Sequence, residues 1–322
     1  MAVYTHLSAE ELSALISNYD VGDLVSAKGI AEGVSNSNWL IETRKDGRSA
    51  RYILTMYERR IELADLPYFL GLLDHLSAKN CPVPRTIHDS DGAEFRMIDG
   101  KAVALIKFLP GVSPTRPTPA QAGAVGATLA QMHLASADFP LSRKNTMGFS
   151  DNLAVLEKCG ESGLASIHPD LPAMLAPARA AANLDLSTLP KAQVHADLFP
   201  DNVLMLDDEV TGLIDFYFAC TDCMVLDIAV THAAWCFDPD TGGYLSKCGT
   251  EFLNGYESIR KITQDERRIF ADTAKGACLR FIASRAEDWL ETPNDALVTR
   301  KDPTDFVSRW RFYDEHAAHL FT

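Results

Sequence analysis

Two periodicities organise the apolar residues of this chain. Over residues 62–79, Leu63, Leu66, Phe69, Leu70, Leu73 and Leu76 recur at the spacing that lines one face of an α-helix. Cys81-Pro82-Val83-Pro84 ends that pattern, because proline lacks an N–H and pushes its predecessor out of the helical region. A shorter helix is signalled at the start. Ser8 and Glu11 have the spacing of a capping box, and Leu12, Leu15 and Ile16 follow at helical intervals. Between these helices the pattern turns strand-like. Residues 25–40 read as a hairpin, with Gly29 and Gly33 near its turn and Trp39-Leu40-Ile41 on the return. Asp46-Gly47 signals a tight turn into a third strand over residues 51–57. Beyond the long helix, residues 94–98 and 102–108 are strand patterns joined by Asp99-Gly100. The order predicts a small mixed β-sheet carrying one helix.

Leu109-Pro110-Gly111 and the proline-rich residues 113–119 mark a linker. Beyond it helical spacing dominates. Residues 120–136 carry Val125, Leu129 and Met132, and Ser150-Asp151-Asn152 offers a cap for a following helix. Residues 226–237, 244–259 and 265–290 are helical by period, and Asp302-Pro303 is expected to open the last helix. Clear β signals in this half are confined to the neighbourhood of Val194 and to residues 203–216. The expected fold is α+β with two lobes: residues 1–108, a sheet with one helix, and residues 109–322, mainly helical.

Composition narrows the function classes. At 322 residues, with 47% hydrophobic and 23% charged residues, the chain has the profile of a globular protein large enough for two domains. A net charge of −14 argues against a nucleic-acid partner and against a polybasic membrane anchor. No apolar run approaches the roughly 18 residues that span a bilayer. The opening Met1-Ala2-Val3-Tyr4-Thr5-His6 lacks the features of a signal peptide, so the expected location is cytoplasmic. The seven cysteines are odd in number and scattered, which fits reduced thiols. Cys220-Thr221-Asp222-Cys223 lacks a second ligand pair or a redox context and reads as packing.

The chemistry concentrates in one segment. Val194-His195-Ala196-Asp197-Leu198-Phe199-Pro200-Asp201-Asn202-Val203-Leu204 fits H-x-D-L-x-x-x-N between apolar residues. Thirteen residues after Asn202, Gly212-Leu213-Ile214-Asp215-Phe216 is an apolar strand ending in an aspartate. Phosphoryl transfer to an alcohol needs an acceptor for the hydroxyl proton and neutralisation of phosphate charge. Asp197 is the candidate base. Asn202 and Asp215 offer hard oxygen ligands suited to Mg²⁺ bridging the phosphates of ATP. His195 is expected to brace the loop by hydrogen bonding. A polar loop before an ordinary hairpin would give the same spacing, but it leaves the strand-end aspartate without a reason.

These residues resemble the aminoglycoside/choline phosphotransferase family of protein-kinase-like enzymes, over nearly the whole chain. The resemblance implies Asp197 as base and Asn202 with Asp215 as magnesium ligands. It makes Asp227, in Val225-Leu226-Asp227-Ile228-Ala229, a capping and bracing aspartate, and His133 a structural histidine. Within the family, Met1-Ala2-Val3-Tyr4-Thr5, Gly29-Ile30-Ala31-Glu32-Gly33-Val34-Ser35-Asn36-Ser37-Asn38, Tyr52-Ile53-Leu54-Thr55 and His195-Ala196-Asp197-Leu198-Phe199-Pro200-Asp201-Asn202 are similar to bacterial homoserine kinases. That similarity implies ATP-dependent phosphorylation of the homoserine hydroxyl for threonine synthesis. Composition and spacing by themselves reach only a kinase.

Two departures from the kinase pattern matter. The hairpin loop has neither G-x-G-x-x-G nor a Walker sequence. Ser35, Asn36, Ser37 and Asn38, with the loop's backbone N–H groups, are the candidates for cradling phosphates. On the third strand, Thr55 stands where a lysine for the phosphates is expected, and Arg59, Arg60 and Lys107 are candidate substitutes. An amino-acid acceptor would need a cation for its carboxylate, for which Arg280 and Arg285 are candidates. Asp201 and Asp222 are candidates for its ammonium. Alternatives left open are a kinase of choline or an aminoglycoside, and a nucleotide-binding pseudokinase suggested by Thr55. A metal-dependent hydrolase built on His195 and Asp197 lacks further ligands.

Overall fold

The structure is a computed structural model and describes residues 5, 7–30, 36–58, 62–293, 300–317 and 320–321. The chain divides into two compact units. The first comprises Met1–Gly111 with Thr211–Tyr217, and the second Val112–Val210 with Phe218–Thr322. The segment Thr211–Tyr217 therefore departs from the division expected at residue 108, because it packs with the first unit. There Leu213 N–H donates to Pro82 O at 2.7 Å, and the Tyr217 ring meets Tyr57 and Phe69 edge-on.

The first unit contains α1 (Ala9–Ile16), β1 (Asp23–Ile30), β2 (Asn36–Lys45), β3 (Arg48–Tyr57), α2 (Leu66–Ala78), β4 (Thr86–Ile87), β5 (Arg96–Ile98) and β6 (Lys101–Lys107). The strands form one sheet in the order β1-β2-β3-β6-β4, with β5 on β6, and every pairing is antiparallel. The Ser8–Glu11 capping box opens α1 as expected. Asp46 and Gly47 take φ of 49° and 78°, the left-handed pair that a two-residue hairpin turn needs.

Alternation along the strands gives this sheet two buried faces. Leu54 and Met56 of β3, with Val103 and Leu105 of β6, join the cluster that holds α1 through Leu12, Leu15 and Ile16. Their neighbours Tyr57, Ala102, Ala104 and Ile106 face the other way, onto Leu66 and Leu70 of α2. A sheet covered on both sides needs continuous apolar strands, hence the unbroken run Ala102-Val103-Ala104-Leu105-Ile106.

The second unit contains α3 (Pro119–Ala135), α4 (Phe149–Ile167), α5 (Leu175–Ala181), β7 (Lys191–Val194), β8 (Val203–Leu206), β9 (Glu209–Leu213), β10 (Cys220–Cys223), α6 (Met224–Trp235), α7 (Ser246–Ile259), α8 (Gln264–Glu291) and α9 (Thr304–His316). The chain passes into the first unit within β9. Every residue of α6 is buried, which explains its nearly continuous apolar sequence. α3 and α7 approach closely at glycines: a Cβ on Gly126 would lie 2.1 Å from Phe252 O, and one on Gly255 2.0 Å from Gly123 O. The cap of α4 falls at Gly148 rather than at Ser150-Asp151-Asn152; Asp151 instead reaches back from inside the helix to the Gly148 N–H at 3.0 Å. Cys220 and Cys223 lie on β10, paired with β7. Both thiols are free and buried, and burial pushes each up to about 12. Among the described residues no helix is long and apolar enough to cross a membrane.

Candidate active site

The H-x-D loop is built from the bottom of the second unit's core. β7 ends at the buried Val194, and the chain then turns sharply at Ala196, whose φ is 63°. An alanine in the left-handed region costs about 1–2 kcal/mol, so its surroundings must hold it there. Asp227, in the first turn of α6 and fully buried, does so from one side. Its Oδ2 accepts from His195 N–H at 2.7 Å and its Oδ1 from Ala196 N–H at 2.8 Å. His133 on α3 donates from Nε2 to Asp227 Oδ2 at 3.0 Å, and its Nδ1 meets the Tyr256 hydroxyl at 2.8 Å. Burial works against a charged Asp227. The hydrogen bond and charge of His133, with the His195 N–H, outweigh it and hold the carboxyl below its ordinary value.

Beyond Ala196 the loop places three groups together. Asp197 N–H donates to the buried His195 Nδ1 at 3.3 Å. Asn202 Nδ2 donates to Asp197 O at 2.8 Å and to its Oδ2 at 3.4 Å, which closes the loop. Trp235 Nε1 secures Leu198 O at 2.9 Å from α6. The Asp197 side chain keeps 20% of its exposure and lies 3.6 Å from Nη2 of Arg280 on α8. Burial, with Asp201 acting the same way, pushes the Asp197 carboxyl above its ordinary value, while Arg280 and His195 oppose the rise. The result is a partly open carboxylate next to a fixed cation.

The remaining candidates belong to the first unit. Asp215 is exposed, has φ 65° and lies two residues beyond the end of β9 at Leu213, not on the strand's last position as expected. Ser35, Arg59 and Arg60 lie outside the described residues. Asn36 is buried, and its Oδ1 has no hydrogen-bond partner among the described residues. Ser37 donates to Glu58 Oε1 at 2.7 Å, and Asn38 Oδ1 accepts from Thr55 Oγ1 at 2.8 Å. These two side chains are thus engaged within the sheet, where both residues also pair in the β2–β3 ladder. Thr55 is buried opposite Asn38 and Ala104. Among the described residues a cation near the start of β2 is Lys101, to which no sequence motif points. It pairs with the buried Glu58 carboxylate and donates to Thr5 Oγ1 at 2.7 Å. Lys107 is exposed at the end of β6.

The residues expected to clamp an amino acid separate. Arg285 is committed to α9: it donates to Asp302 O at 2.6 Å and Asp305 Oδ2 at 2.8 Å, over the Phe306 ring. Asp222 accepts from Asn145 Nδ2 and Cys223 N–H, both at 2.7 Å, and so fastens β10 to the loop before α4. No contact of either with Asp197 is found among the described residues. Asp201 is exposed on the turn between Asp197 and Asn202, with its carbonyl accepting from Ser113. Arg280 is at Asp197, but buried and bonded to the chain itself through Ala196 O.

Residues 26–262 match the phosphotransferase enzyme family. Homoserine kinase of Acidiphilium cryptum is 44% identical over 317 residues, covering 97% of both chains. Homoserine kinase of Gluconacetobacter diazotrophicus is 45% identical, again over 97% of each. Among solved structures, amicoumacin kinase hAmiN in complex with AMP-PNP, Ca²⁺ and Ami superposes with a TM-score of 0.71 at 14% identity, covering 96% of this chain and 94% of that one. Choline kinase from Cryptosporidium parvum gives 0.66 at 13% identity, covering 98% of this chain and 100% of that one. These likenesses establish the protein-kinase-like fold expected from the motif. With a family match over most of its length and relatives this similar from end to end, the chain belongs to the phosphotransferase enzyme family, alongside the bacterial homoserine kinases.

Proposed function

We propose that this protein transfers the terminal phosphoryl group of ATP to the side-chain hydroxyl of L-homoserine, yielding O-phospho-L-homoserine for threonine biosynthesis. The chemical step rests on one observation: Asp197 is a partly open carboxylate on a loop whose backbone is clamped by Asp227. The acceptor rests on relatives of 44% and 45% identity that carry the name homoserine kinase. As the new O–P bond forms, the hydroxyl proton passes to Asp197, and the neighbouring Arg280 limits the reorganisation this requires.

Residues 1–108 form the nucleotide-binding lobe in this proposal, with the loop ending in Ser35, Asn36, Ser37 and Asn38 meeting the phosphates. Residues 109–322 supply the base and the acceptor site. Asn202 and Asp215 fit a divalent cation by donor chemistry. Asn202 engages its loop through the amide nitrogen, which leaves the amide oxygen as the donor to a metal, and Asp215 is an exposed carboxylate. Mg²⁺ bound there would neutralise charge on the ATP phosphates. Asp201 is the remaining candidate for the substrate ammonium. The fold likeness to choline and antibiotic kinases, at identities of 13% and 14%, does not favour their acceptors. An ADP-release panel with homoserine, serine, threonine, choline and kanamycin tests the assignment. Turnover is expected with homoserine and to depend on a divalent cation; turnover confined to choline or kanamycin would reject it.

A further inference from the structure

We infer that Arg280 is a positioning residue for phosphoryl transfer: its guanidinium holds the carbonyl of the left-handed Ala196 and stands beside the Asp197 carboxylate. The inference rests on the reading of Asp197 as the base. It replaces the expectation that Arg280 clamps the acceptor's carboxylate.

Three observations converge. Ala196 has φ 63° and therefore needs restraint at both of its peptide groups. Asp227 restrains the N–H, and Arg280 Nη1, from a helix 84 residues further along the chain, donates to the carbonyl. The next residue is Asp197, so any relaxation of the Ala196 peptide swings the base. Second, Arg280 is only 6% exposed and lies against the Phe218 and Phe281 rings, 5.2 Å and 4.9 Å from their centroids. A planar fork packs against two rings and still presents its Nη groups to the loop, a geometry that a lysine reproduces only in part. Third, the Nη2 to Asp197 Oδ1 distance of 3.6 Å is an ion pair too long for a hydrogen bond. Arg280 can thus fix the carboxylate electrostatically while leaving Oδ1 for a hydroxyl, with Oδ2 accepting from Asn202 Nδ2 at 3.4 Å. Its Nε is buried with no hydrogen-bond partner among the described residues, so orientation depends on the two Nη contacts. A guanidinium this buried, bonded to the loop carbonyl and set beside the base, is placed to hold the loop rather than to receive a substrate carboxylate.

The test uses Arg280→Gln and Arg280→Lys with two acceptors, homoserine and homoserinol, which lacks the carboxylate. Displacing the base lowers kcat by about 10²-fold in Arg280→Gln, since ångström-scale misplacement is that costly. KM for ATP and homoserine should stay within about threefold, and the loss factor should be the same for both acceptors. Arg280→Lys, which keeps the charge, should recover part of kcat. In an Asp197→Asn background Arg280→Gln should add less than about threefold, because the two act as a unit. A raised KM for homoserine with kcat intact, and a loss that vanishes with homoserinol, would establish a carboxylate clamp and overturn the inference. If Arg280→Gln does not fold, the same comparison is made with Arg280→Lys. A wild type that ignores homoserine but uses another alcohol would sink the substrate assignment alone, and the kcat and KM split is then read with that alcohol.

Discussion

His232 on α6 makes folding stability depend on pH in a way that one substitution should remove. The side chain is fully buried, with Nδ1 2.6 Å from the Tyr313 hydroxyl and Nε2 with no hydrogen-bond partner among the described residues. The rings of Tyr244, Phe252, Phe270 and Tyr313 surround it at centroid distances of 5.7 to 5.9 Å. Burial in this aromatic shell lowers its pKa from 6.5 to about 3. Below pH 6.5 the unfolded chain takes up a proton that the folded chain refuses until about pH 3. The contribution is therefore complete above the unfolded value and is lost as pH falls. Between pH 8 and pH 5 a single such group removes about 2 kcal/mol of stability. His232→Phe should cost about 1–3 kcal/mol at pH 8, because Tyr313 loses its partner. At pH 5 the gap between variant and wild type should have narrowed by about 2 kcal/mol. Urea denaturation of both proteins at several pH values between these limits measures it, and groups common to both cancel in the difference. A gap that stays constant with pH would show that His232 is not held neutral, and the reasoning would fail.

Other outcomes follow from single contacts. Gly126→Ala puts a Cβ 2.1 Å from Phe252 O on a neighbouring helix backbone, so it should destabilise by about 2 kcal/mol or more, read from thermal or urea unfolding. Gly47→Ala, with φ 78° and open space around it, should cost only about 1 kcal/mol in the same assay. Asp227→Ala strips partners from two backbone N–H groups and from buried His133, with an expected loss of about 3 kcal/mol or more and a fall in kcat that exceeds any change in ATP affinity. Thr55→Lys, which restores the residue type of other kinases, should weaken stability and leave kcat/KM for ATP no higher. It removes the bond to Asn38 and buries an unpaired ammonium; improved ATP kinetics would show that the position faces phosphate after all.

What could be read from the sequence was local. The α1 capping box, the Asp46-Gly47 turn and the apolar face of α2 each depend on residues within a few positions of one another. The same is true of the spacing from Asp197 to Asn202, which is why the chemistry could be inferred. The two-residue β4 and the Cys220–Cys223 strand carry too little pattern to be seen and exist because β6 and β7 offer them edges. The cap at Gly148 escaped because a glycine offers no side chain to recognise. Long-range roles were hidden. Arg280 lies on a long helix whose residues show little amphipathic pattern, and its partner Ala196 is 84 positions away. Lys101 meets Glu58 across the sheet by register rather than by sequence.

The central claim is that Asp197 takes the proton from a homoserine hydroxyl while ATP supplies the phosphoryl group. Its most direct test is ³¹P NMR of wild type and Asp197→Asn incubated with Mg-ATP and L-homoserine, with ATP affinity measured alongside. The account predicts a phosphomonoester signal of O-phosphohomoserine from the wild type. It predicts a rate lower by about 10²-fold or more in the variant, at nearly unchanged ATP affinity. Formation of that product by Asp197→Asn at close to the wild-type rate would contradict it.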